Sequence, residues 1–323
     1  MSSRREFIVG CGMAALGSAI PLDRFAEALA PLYPPTDLSY FDTPVRPAPS
    51  DIKIGYAAIT WGGNDRQAIE DIASLGFPGI QIRSNAAAEF GDRPTALRDI
   101  LADHHLTMVA LSSGDVKIDG PDKSIVDEHT SHAKFVHDVG GLYLQVTDAR
   151  PKGRPVVAAD YVRLGRLMTE IGKRTADLGI PLGYHNHMNS LGEKPEEVDR
   201  ILEAADPRYV KLELDIAHYL QGGGDPVLAV RRYRDRLLFL HIKDVESPVP
   251  GAAADKPSYR FVELGRGKVD VKAVFAALHD AKFRGWAIVE LDSVPDHART
   301  PKESAAINKR YLEEQVGVWA ERS

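Results

Sequence analysis

Residues 52 to 292 repeat one alternation, in which a short apolar or β-branched run is followed by a segment with apolar residues at helical spacing. Strands that alternate with helices pair in parallel, and eight such strands fill their own interior when the sheet closes. The pattern therefore predicts a single-domain (β/α)8 barrel, the TIM-barrel architecture, over residues 51–323. The eight runs span residues 52–58, 79–84, 106–112, 142–148, 180–187, 210–218, 237–245 and 286–292.

An open, doubly wound α/β sheet is the alternative architecture. That fold binds dinucleotides through a glycine-rich turn after its first strand. Here the first run is followed by Trp61-Gly62-Gly63-Asn64 and by no further glycine of such a fingerprint, so the barrel is preferred. The longest irregular segment, Glu246 to Lys268, follows the seventh run. Because loops after barrel strands line the active face, this segment is predicted to act as a lid.

The first 30 residues resemble a twin-arginine export signal. Arg4-Arg5 precedes a weakly apolar stretch ending at Ile20, and Ala28-Leu29-Ala30 offers a small-x-small cleavage site. The stretch is too short and too rich in glycine for a stable membrane span. We expect residues 1–30 to be removed and the mature protein to be periplasmic, with a merely apolar N-terminal helix as the alternative. Residues 31–50 hold six prolines and no apolar period, which predicts a linker.

Composition limits the ligands that this chain can take. With 40 basic against 46 acidic residues, the formal net charge of −6 offers no positive excess for a nucleic-acid backbone or an anionic membrane. The one cysteine, Cys11, lies inside the predicted signal. A mature protein without thiols has no disulfides, cysteine nucleophile or thiolate metal site, so any metal must be held by His, Asp, Glu or neutral oxygen atoms.

Polar residues gather at the carboxyl ends of four predicted strands. Side chains alternate between the two faces of a strand, so Asp215 points into the barrel if Leu212 and Leu214 pack on the helices. Taken singly, each inward residue has an ordinary structural explanation, and Lys211 with Glu213 could form a structural pair lower in the barrel. Taken together they need mutual pairing or a bound cation. The inward-facing set is His185, His187, Asp215, His241, Lys243 and Glu290. No role is assigned to His104, His105, His129, His132, His137, His279 or His297, which fall in predicted helices or loops.

Four segments at barrel-strand spacing carry a family resemblance: GYHNHMNS, LELDIAHY, LHIKDV and WAIVELD. They resemble the sugar isomerase/epimerase superfamily with a xylose isomerase-like barrel, particularly its inosose-dehydratase-like branch, over about residues 51 to 320. The resemblance implies a divalent ion such as Mn²⁺, Co²⁺ or Zn²⁺ near the barrel mouth. Carried over, Asp215 and Glu290 would be its carboxylate ligands and His241 its imidazole ligand. The residues expected beside the substrate are His218, Lys243, Trp61 and Asp244.

One position departs from the family pattern. Many sugar epimerases of this kind carry on the fifth strand a glutamate that binds the metal and transfers a proton, and His185 occupies that place here. We expect His185 to complete the coordination, which leaves His187 free as a base or a substrate contact. An imidazole in place of a carboxylate lowers the negative charge around the ion and makes the metal more electrophilic. It also disfavours epimerisation by two opposed glutamates.

The expected chemistry is removal of a proton next to a carbonyl of a non-phosphorylated sugar or keto-sugar, with Glu290, His187 or Lys243 as the base. Reprotonation would make the protein an isomerase or epimerase, which we place first. Loss of a β-substituent would make it a lyase, either a dehydratase or an enzyme that cleaves a 3-keto-glycoside. A non-catalytic periplasmic sugar-binding protein is a further alternative, whereas an abasic-site endonuclease is disfavoured by the acidic charge balance. The expected partner is the small substrate, and a homo-oligomer stays open.

Overall fold

The structure is a computed structural model, and it describes residues 51–249 and 258–318. The predicted signal (1–30) and linker (31–50) lie outside the described residues. Of the described residues, 51–249, 258–295 and 299–318 belong to one compact unit, and Asp296–Ala298 belongs to a separate small unit. Among the described residues, no helix is both long and apolar enough to span a bilayer.

Eight parallel strands close into a barrel, which confirms the predicted (β/α)8 fold. Around the barrel the strands follow the order β1-β10-β7-β6-β5-β4-β3-β2. The barrel strands are β1 Ile52–Ala57, β2 Gly79–Arg83, β3 Thr107–Val116, β4 Tyr143–Asp148, β5 Leu182–His185, β6 Val210–Asp215, β7 Leu237–Ile242 and β10 Gly285–Val289. The same alternation of strand and helix that the sequence displays therefore produces one closed sheet.

Helices follow the strands and cover the outside of the barrel. They are α1 Asp65–Ser74, α2 Asn85–Phe90, α3 Pro94–Asp103, α4 Asp122–Val139, α5 Ala158–Asp177, α6 Pro195–Ala204, α7 Ile216–Gln221, α8 Pro226–Arg232, α9 Val271–Asp280 and α10 Pro301–Tyr311. Helix starts are encoded locally. Asp225 accepts hydrogen bonds from the backbone N–H groups of Val227 and Leu228, and Pro226 supplies the first residue of α8.

The segment after β7 contains regular structure. Strands β8 Asp244–Glu246 and β9 Arg260–Val262 pair antiparallel in a separate two-stranded sheet. The segment predicted to be irregular from Glu246 to Lys268 therefore contains two short strands in its described part. Phe261 on β9 lies against the His218 ring at a centroid distance of 4.8 Å, and the role of the segment as a lid stays a prediction. The residues of β8 and β9 are ordered by backbone pairing. Strands of three residues are too short to be detected as apolar runs in the sequence.

Several predicted strands end earlier than expected, and two of them end at residues of the predicted site. Run 180–187 forms a strand only to His185, and run 210–218 ends at Asp215. At that point Asp215 Oδ1 accepts hydrogen bonds from the N–H groups of Ala217 and His218, both at 2.8 Å, and so caps α7. His218 therefore lies in the first turn of a helix rather than on a strand.

An apolar layer fills the barrel below its carboxyl end. Phe239 and Ile288, both fully buried, face inward one alternation before the polar residues of β7 and β10. The Phe239 ring stacks on Tyr143 at a centroid distance of 5.4 Å and lies 6.3 Å from the His241 ring. Water is thus excluded from beneath the polar groups, which open only toward the mouth.

Candidate active site

Three of the predicted metal ligands lie together at the carboxyl end of the barrel. Asp215 ends β6, His241 lies on β7, and Glu290 directly follows β10. His241 Nδ1 is 3.7 Å from Asp215 Oδ2 and 3.2 Å from Glu290 Oε2. All three residues are buried. The fold therefore brings to one place side chains that the sequence separates by up to 75 positions (290 − 215).

Five buried polar atoms at this place lack a hydrogen-bond partner: His185 Nδ1, Asp215 Oδ2, His241 Nδ1 and both carboxylate oxygens of Glu213. Leaving such a group unsatisfied costs about 1–3 kcal/mol each. Ligand-type atoms of His185, Asp215, His218 and Glu290 all lie within 4.8 Å of one another. Ligand-type nitrogen and oxygen atoms that converge without hydrogen-bond partners match the requirement of a cation, and a mixed imidazole and carboxylate set suits Mn²⁺, Co²⁺ or Zn²⁺.

His241 is oriented by two groups behind it. Its Nε2 atom lies 2.7 Å from Gln81 Oε1 and 2.5 Å from Glu213 Oε1. Burial disfavours the charged ring, but Glu213 and Glu290 outweigh burial and raise the pKa of His241 well above its usual value. With a raised pKa, both nitrogens of the ring carry a proton while no cation is bound, and the Nδ1 proton faces Asp215 and Glu290. A divalent ion bound here would replace the Nδ1 proton, and Nε2 would keep its proton toward Gln81 and Glu213.

Glu213 is a residue whose part in the site the sequence reasoning missed. The suggested structural pair with Lys211 is wrong, since Glu213 is fully buried against His241. A signal was present, because Glu213 shares the inward face of β6 with Asp215, two residues earlier. No comparable pattern pointed to Gln81, since it lies on β2, far from Asp215 and His241 in the sequence.

His185 and His187 have different environments. His185 is buried, and burial together with the His241 ring lowers its pKa well below the usual histidine value, so the ring is neutral. The half-buried His187 lies past the end of β5, and its Nδ1 atom is 2.7 Å from the carbonyl oxygen of Met188. A carbonyl only accepts, so Nδ1 of His187 carries the proton and Nε2 keeps a lone pair. This is the arrangement of a general base.

His218 also has a defined tautomer. Its Nδ1 atom accepts a hydrogen bond from the Met188 N–H at 3.1 Å, so the proton of the neutral ring sits on Nε2. Burial and the charge of Lys243 lower the pKa of His218 well below its usual value, which keeps the ring neutral. The 3.2 Å approach of Lys243 Nζ to Nε2 is then a contact without a hydrogen bond. A ring with Nε2–H is a donor, which fits a substrate contact better than a metal ligand.

Lys243 is unsuited to the role of base. Its ammonium group donates to Glu290 Oε2 at 2.9 Å and to Asp292 Oδ1 at 2.5 Å, and the side chain is fully buried. Burial lowers the pKa of Lys243, but the carboxylates of Glu290 and Asp292 outweigh it and raise the pKa above the ordinary lysine value. A lysine that stays protonated cannot accept a proton, so the prediction of Lys243 as a base is wrong. It serves as a fixed positive charge.

Asp244 holds the chain after β7 rather than a substrate. Its buried carboxylate accepts hydrogen bonds from the backbone N–H groups of Val245, Gly265, Gly267 and Val269, at 2.8, 3.0, 2.9 and 2.9 Å. These donors occupy both oxygens. The prediction that Asp244 contacts the substrate is therefore wrong.

Trp61 packs in the core of the barrel unit. It is 8% exposed, donates from Nε1 to Asp71 Oδ2 at 2.8 Å and meets the ring of Tyr56 edge-on at a centroid distance of 5.6 Å. The predicted substrate contact by Trp61 is wrong for this reason. The neighbouring Ile59 lines the mouth instead.

A cavity of about 420 Å³ opens above the polar cluster. Its volume fits a molecule of the size of a monosaccharide derivative. The side chains around it come from several strand ends, as is usual for barrel active sites. They include His185, His187, His241, Glu290, Asp292 and Ser113. Asp292 and Ser113 were not among the predicted site residues.

Comparisons with known proteins agree with this geometry. The model of a family described as a xylose isomerase-like TIM barrel matches residues 69–315. The chain belongs to this family. Inosose dehydratase of Geobacillus kaustophilus (strain HTA426) is 28% identical over 299 residues, covering 82% of this chain and 94% of the relative. Inosose dehydratase of Lacticaseibacillus casei is 25% identical over 297 residues, covering 83% and 98%. These relatives support the predicted inosose-dehydratase-like branch of the family.

Solved structures of the same fold include the IOLI protein with a binding zinc atom. It matches with a TM-score of 0.70 and 19% identity, covering 84% of this chain and all of that chain (100%). At this identity the likeness establishes the fold alone. The zinc atom belongs to that protein.

Proposed function

We propose that this chain is a divalent-metal-dependent lyase, which removes the proton next to the carbonyl of a non-phosphorylated keto-sugar and expels the β-substituent. The observation that carries the proposal is a set of buried ligand-type atoms at the mouth of a closed barrel that have no hydrogen-bond partner. They include Asp215 Oδ2, His241 Nδ1 and His185 Nδ1. The names of the relatives, inosose dehydratases, support elimination over the isomerisation that the sequence placed first.

The metal would be held by His185, Asp215, His241 and Glu290. Two carboxylates and two neutral imidazoles balance the charge of a divalent ion, and Nε2 of His241 is already fixed by Glu213. A divalent ion bound here polarises a substrate carbonyl and makes the neighbouring C–H bond more acidic. His218 completes the rim as a hydrogen-bond donor to the substrate.

His187 is the base in this proposal. Its Nδ1–H is tied to the Met188 carbonyl, so the lone pair of Nε2 is available, and the residue lines the cavity. Glu290 is less suited, because His241 and Lys243 overcome its burial and hold the pKa of Glu290 well below its usual value. Lys243 neutralises charge beside Glu290 and Asp292 without taking part in the transfer.

The choice of a non-phosphorylated substrate rests on the export predicted from residues 1–30, since sugar phosphates are cytoplasmic metabolites. Isomerisation or epimerisation shares the first step and differs in the second. A protein that binds sugars without reaction would share the cavity but not the transfer of a proton.

The decisive experiment uses the mature protein with Mn²⁺ and methyl 3-keto-glucoside in D₂O, followed by NMR. We expect methanol and an unsaturated ketone to appear, and deuterium to enter the remaining substrate at the carbon next to the carbonyl. The matched control is Asp215→Asn, which keeps a similar side-chain shape but removes a ligand charge. Exchange without an unsaturated product would indicate an isomerase or epimerase. Neither exchange nor product, with any of Mn²⁺, Co²⁺ or Zn²⁺, would contradict catalysis.

A further inference from the structure

A second polar cluster lies on the rim of the cavity, outside the proposed metal site. Ser113 Oγ on β3 is 2.6 Å from His129 Nδ1 and 2.8 Å from His132 Nδ1, and both histidines lie on α4. Ser113 and His129 are 2% and 1% exposed, whereas His132 is half-buried. The sequence gave neither histidine a role. Burying a serine hydroxyl and two imidazole rings costs desolvation free energy, which suggests that the cluster has a function.

The backbone is distorted where Ser113 enters the cavity. The pairing of β3 with β4 shifts register between Ser112 and Asp115, and Gly114 within the shift has φ of 91°. Bulges of this kind redirect a side chain and are common beside active sites. Ser113 consequently lines the same 420 Å³ cavity as His187 and Glu290.

The protons of this cluster can be assigned in part. Burial lowers the pKa of His129 to about 4 and also lowers that of His132, so both rings are neutral at pH 7. His129 Nε2 is buried without a hydrogen-bond partner. Since an orphaned N–H group is rarer than an orphaned acceptor, Nε2 is the bare nitrogen and Nδ1 donates its proton to Ser113 Oγ.

His132 then decides where the Ser113 hydroxyl proton points. With the proton on Nδ1, His132 is a second donor to Oγ, and the hydroxyl hydrogen is directed elsewhere, toward the cavity. With the proton on Nε2, His132 accepts that hydrogen instead. Because this ring is only half-buried, water can move its proton from one nitrogen to the other. The pair Ser113 and His132 thus connects the cavity with solvent.

We propose that Ser113 is the general acid of the elimination, supplied with protons by His132 and held by His129. The proposal rests on the lyase function proposed above. It provides the second proton-transfer group that elimination of a poor leaving group requires.

The step balances as follows. His187 takes the proton from the carbon next to the carbonyl, and the electron pair of that C–H bond forms the new C=C bond. The C–O bond of the β-substituent breaks, its electron pair leaves with the oxygen, and that oxygen takes the Ser113 hydroxyl proton. Ser113 Oγ then takes the Nδ1 proton of His132, while His132 Nε2 takes one from solvent. His187 returns one proton to solvent afterwards.

The test uses Ser113→Ala and His132→Asn in the full mature chain with Mn²⁺. Asparagine keeps an amide donor near the position of Nδ1 but cannot pass a proton from one nitrogen to another. Ser304→Ala is the matched control, because it also removes one buried serine hydrogen bond, the one to Glu263, and Ser304 does not line the cavity. The midpoint of thermal unfolding of each variant is measured beside the reactions to separate effects on folding.

Two reactions are followed for each protein. Deuterium exchange next to the carbonyl reports the base and the metal alone. Release of the aglycone is compared between methyl and 4-nitrophenyl 3-keto-glucosides, since 4-nitrophenolate leaves without a proton and methoxide does not. We expect both variants to lose at least 100-fold in methanol release, to keep exchange within threefold of the unsubstituted protein, and to release 4-nitrophenolate within threefold.

The outcomes separate the two proposals. Equal losses of exchange, methanol release and 4-nitrophenolate release in Ser113→Ala would overturn the role as acid and indicate a structural one. Unchanged methanol release in Ser113→Ala would overturn it as well. If the unsubstituted protein exchanges no deuterium and releases no aglycone, the lyase function itself fails. Ser304→Ala is expected to match the unsubstituted protein in all three measurements.

Discussion

Asp215 Oδ2 lies 3.7 Å from His241 Nδ1, both atoms are buried, and neither has a hydrogen-bond partner. The other oxygen of Asp215 caps α7, and the other nitrogen of His241 is fixed between Gln81 and Glu213. Each side chain is therefore held by one atom so that the second is presented toward the same point. This division explains how the fold holds both side chains in place for a cation that would bind between them.

Removal of one ligand should weaken metal binding strongly. We expect Asp215→Asn and Glu290→Gln to lower the affinity for Zn²⁺ or Mn²⁺ by about 100-fold or more, because a charged ligand is replaced by a neutral one. Isothermal titration with each ion measures this directly. For the unsubstituted protein, ion at 100 times its Kd should stabilise the fold by about 2.7 kcal/mol, visible as a higher unfolding midpoint. An unchanged midpoint with saturating ion would contradict a site at these residues.

His187 should affect catalysis without affecting metal content. Asparagine in its place keeps a donor toward the Met188 carbonyl but lacks the lone pair of Nε2. We expect His187→Asn to lose about 10² to 10⁴-fold in deuterium exchange next to the carbonyl. In the same preparations His185→Asn should lose metal. Equal loss of metal in both variants would show that His187 is a ligand and not the base.

Asp244 should matter for stability alone. Its carboxylate accepts four backbone N–H groups, and Asp244→Ala leaves these donors unsatisfied. We expect the free energy of unfolding to fall by about 1–3 kcal/mol or more, as measured by urea denaturation. Metal affinity should stay within about threefold, a tolerance set by the context dependence of single contacts. A loss of substrate binding with full stability would restore the earlier interpretation of Asp244 as a substrate contact.

His129 should make the fold sensitive to mild acid. Its pKa is lowered by burial to about 4, whereas an unfolded histidine titrates near 6.5. Between these pH values His129 binds a proton in the unfolded chain but not in the folded chain. The free energy of unfolding therefore falls as the pH drops from about 6.5 to 4. The loss is on the order of 3 kcal/mol.

The check is a comparison between two proteins. His129→Asn cannot titrate but keeps an amide near Ser113. We expect its free energy of unfolding to fall less than that of the unsubstituted protein between pH 7 and pH 4.5. Parallel curves for the two proteins would mean that His129 is accessible to protons in the folded state.

Export is a prediction from the sequence alone. Replacing Arg4 and Arg5 by lysine preserves charge but removes the arginine pair. We expect the double substitution to retain the protein in the cytoplasm, measured by cell fractionation and by the mass of the N-terminus. Equal amounts of processed protein in the periplasm would exclude the twin-arginine route.

The sequence by itself determined the number of barrel strands, their order and the inward parity of His185, Asp215, His241 and Glu290. These properties are local, because the alternation of side chains along a strand and the spacing of apolar residues along a helix belong to each segment separately. Once eight such segments close into a barrel, their carboxyl ends meet at one rim. Inward-facing residues at these strand ends therefore converge, independently of the conformations of the loops.

Only the tertiary structure decided which hydrogen-bond partner each polar atom has. Gln81 reaches His241 across 160 positions of the chain, and Ser113 meets two histidines on a helix that showed no sign of function in the sequence. Asp244 was expected beside the substrate, yet its oxygens accept hydrogen bonds from four backbone N–H groups of the segment that follows β7. Proton positions and free lone pairs depend on such contacts between distant elements, and no local pattern encodes them.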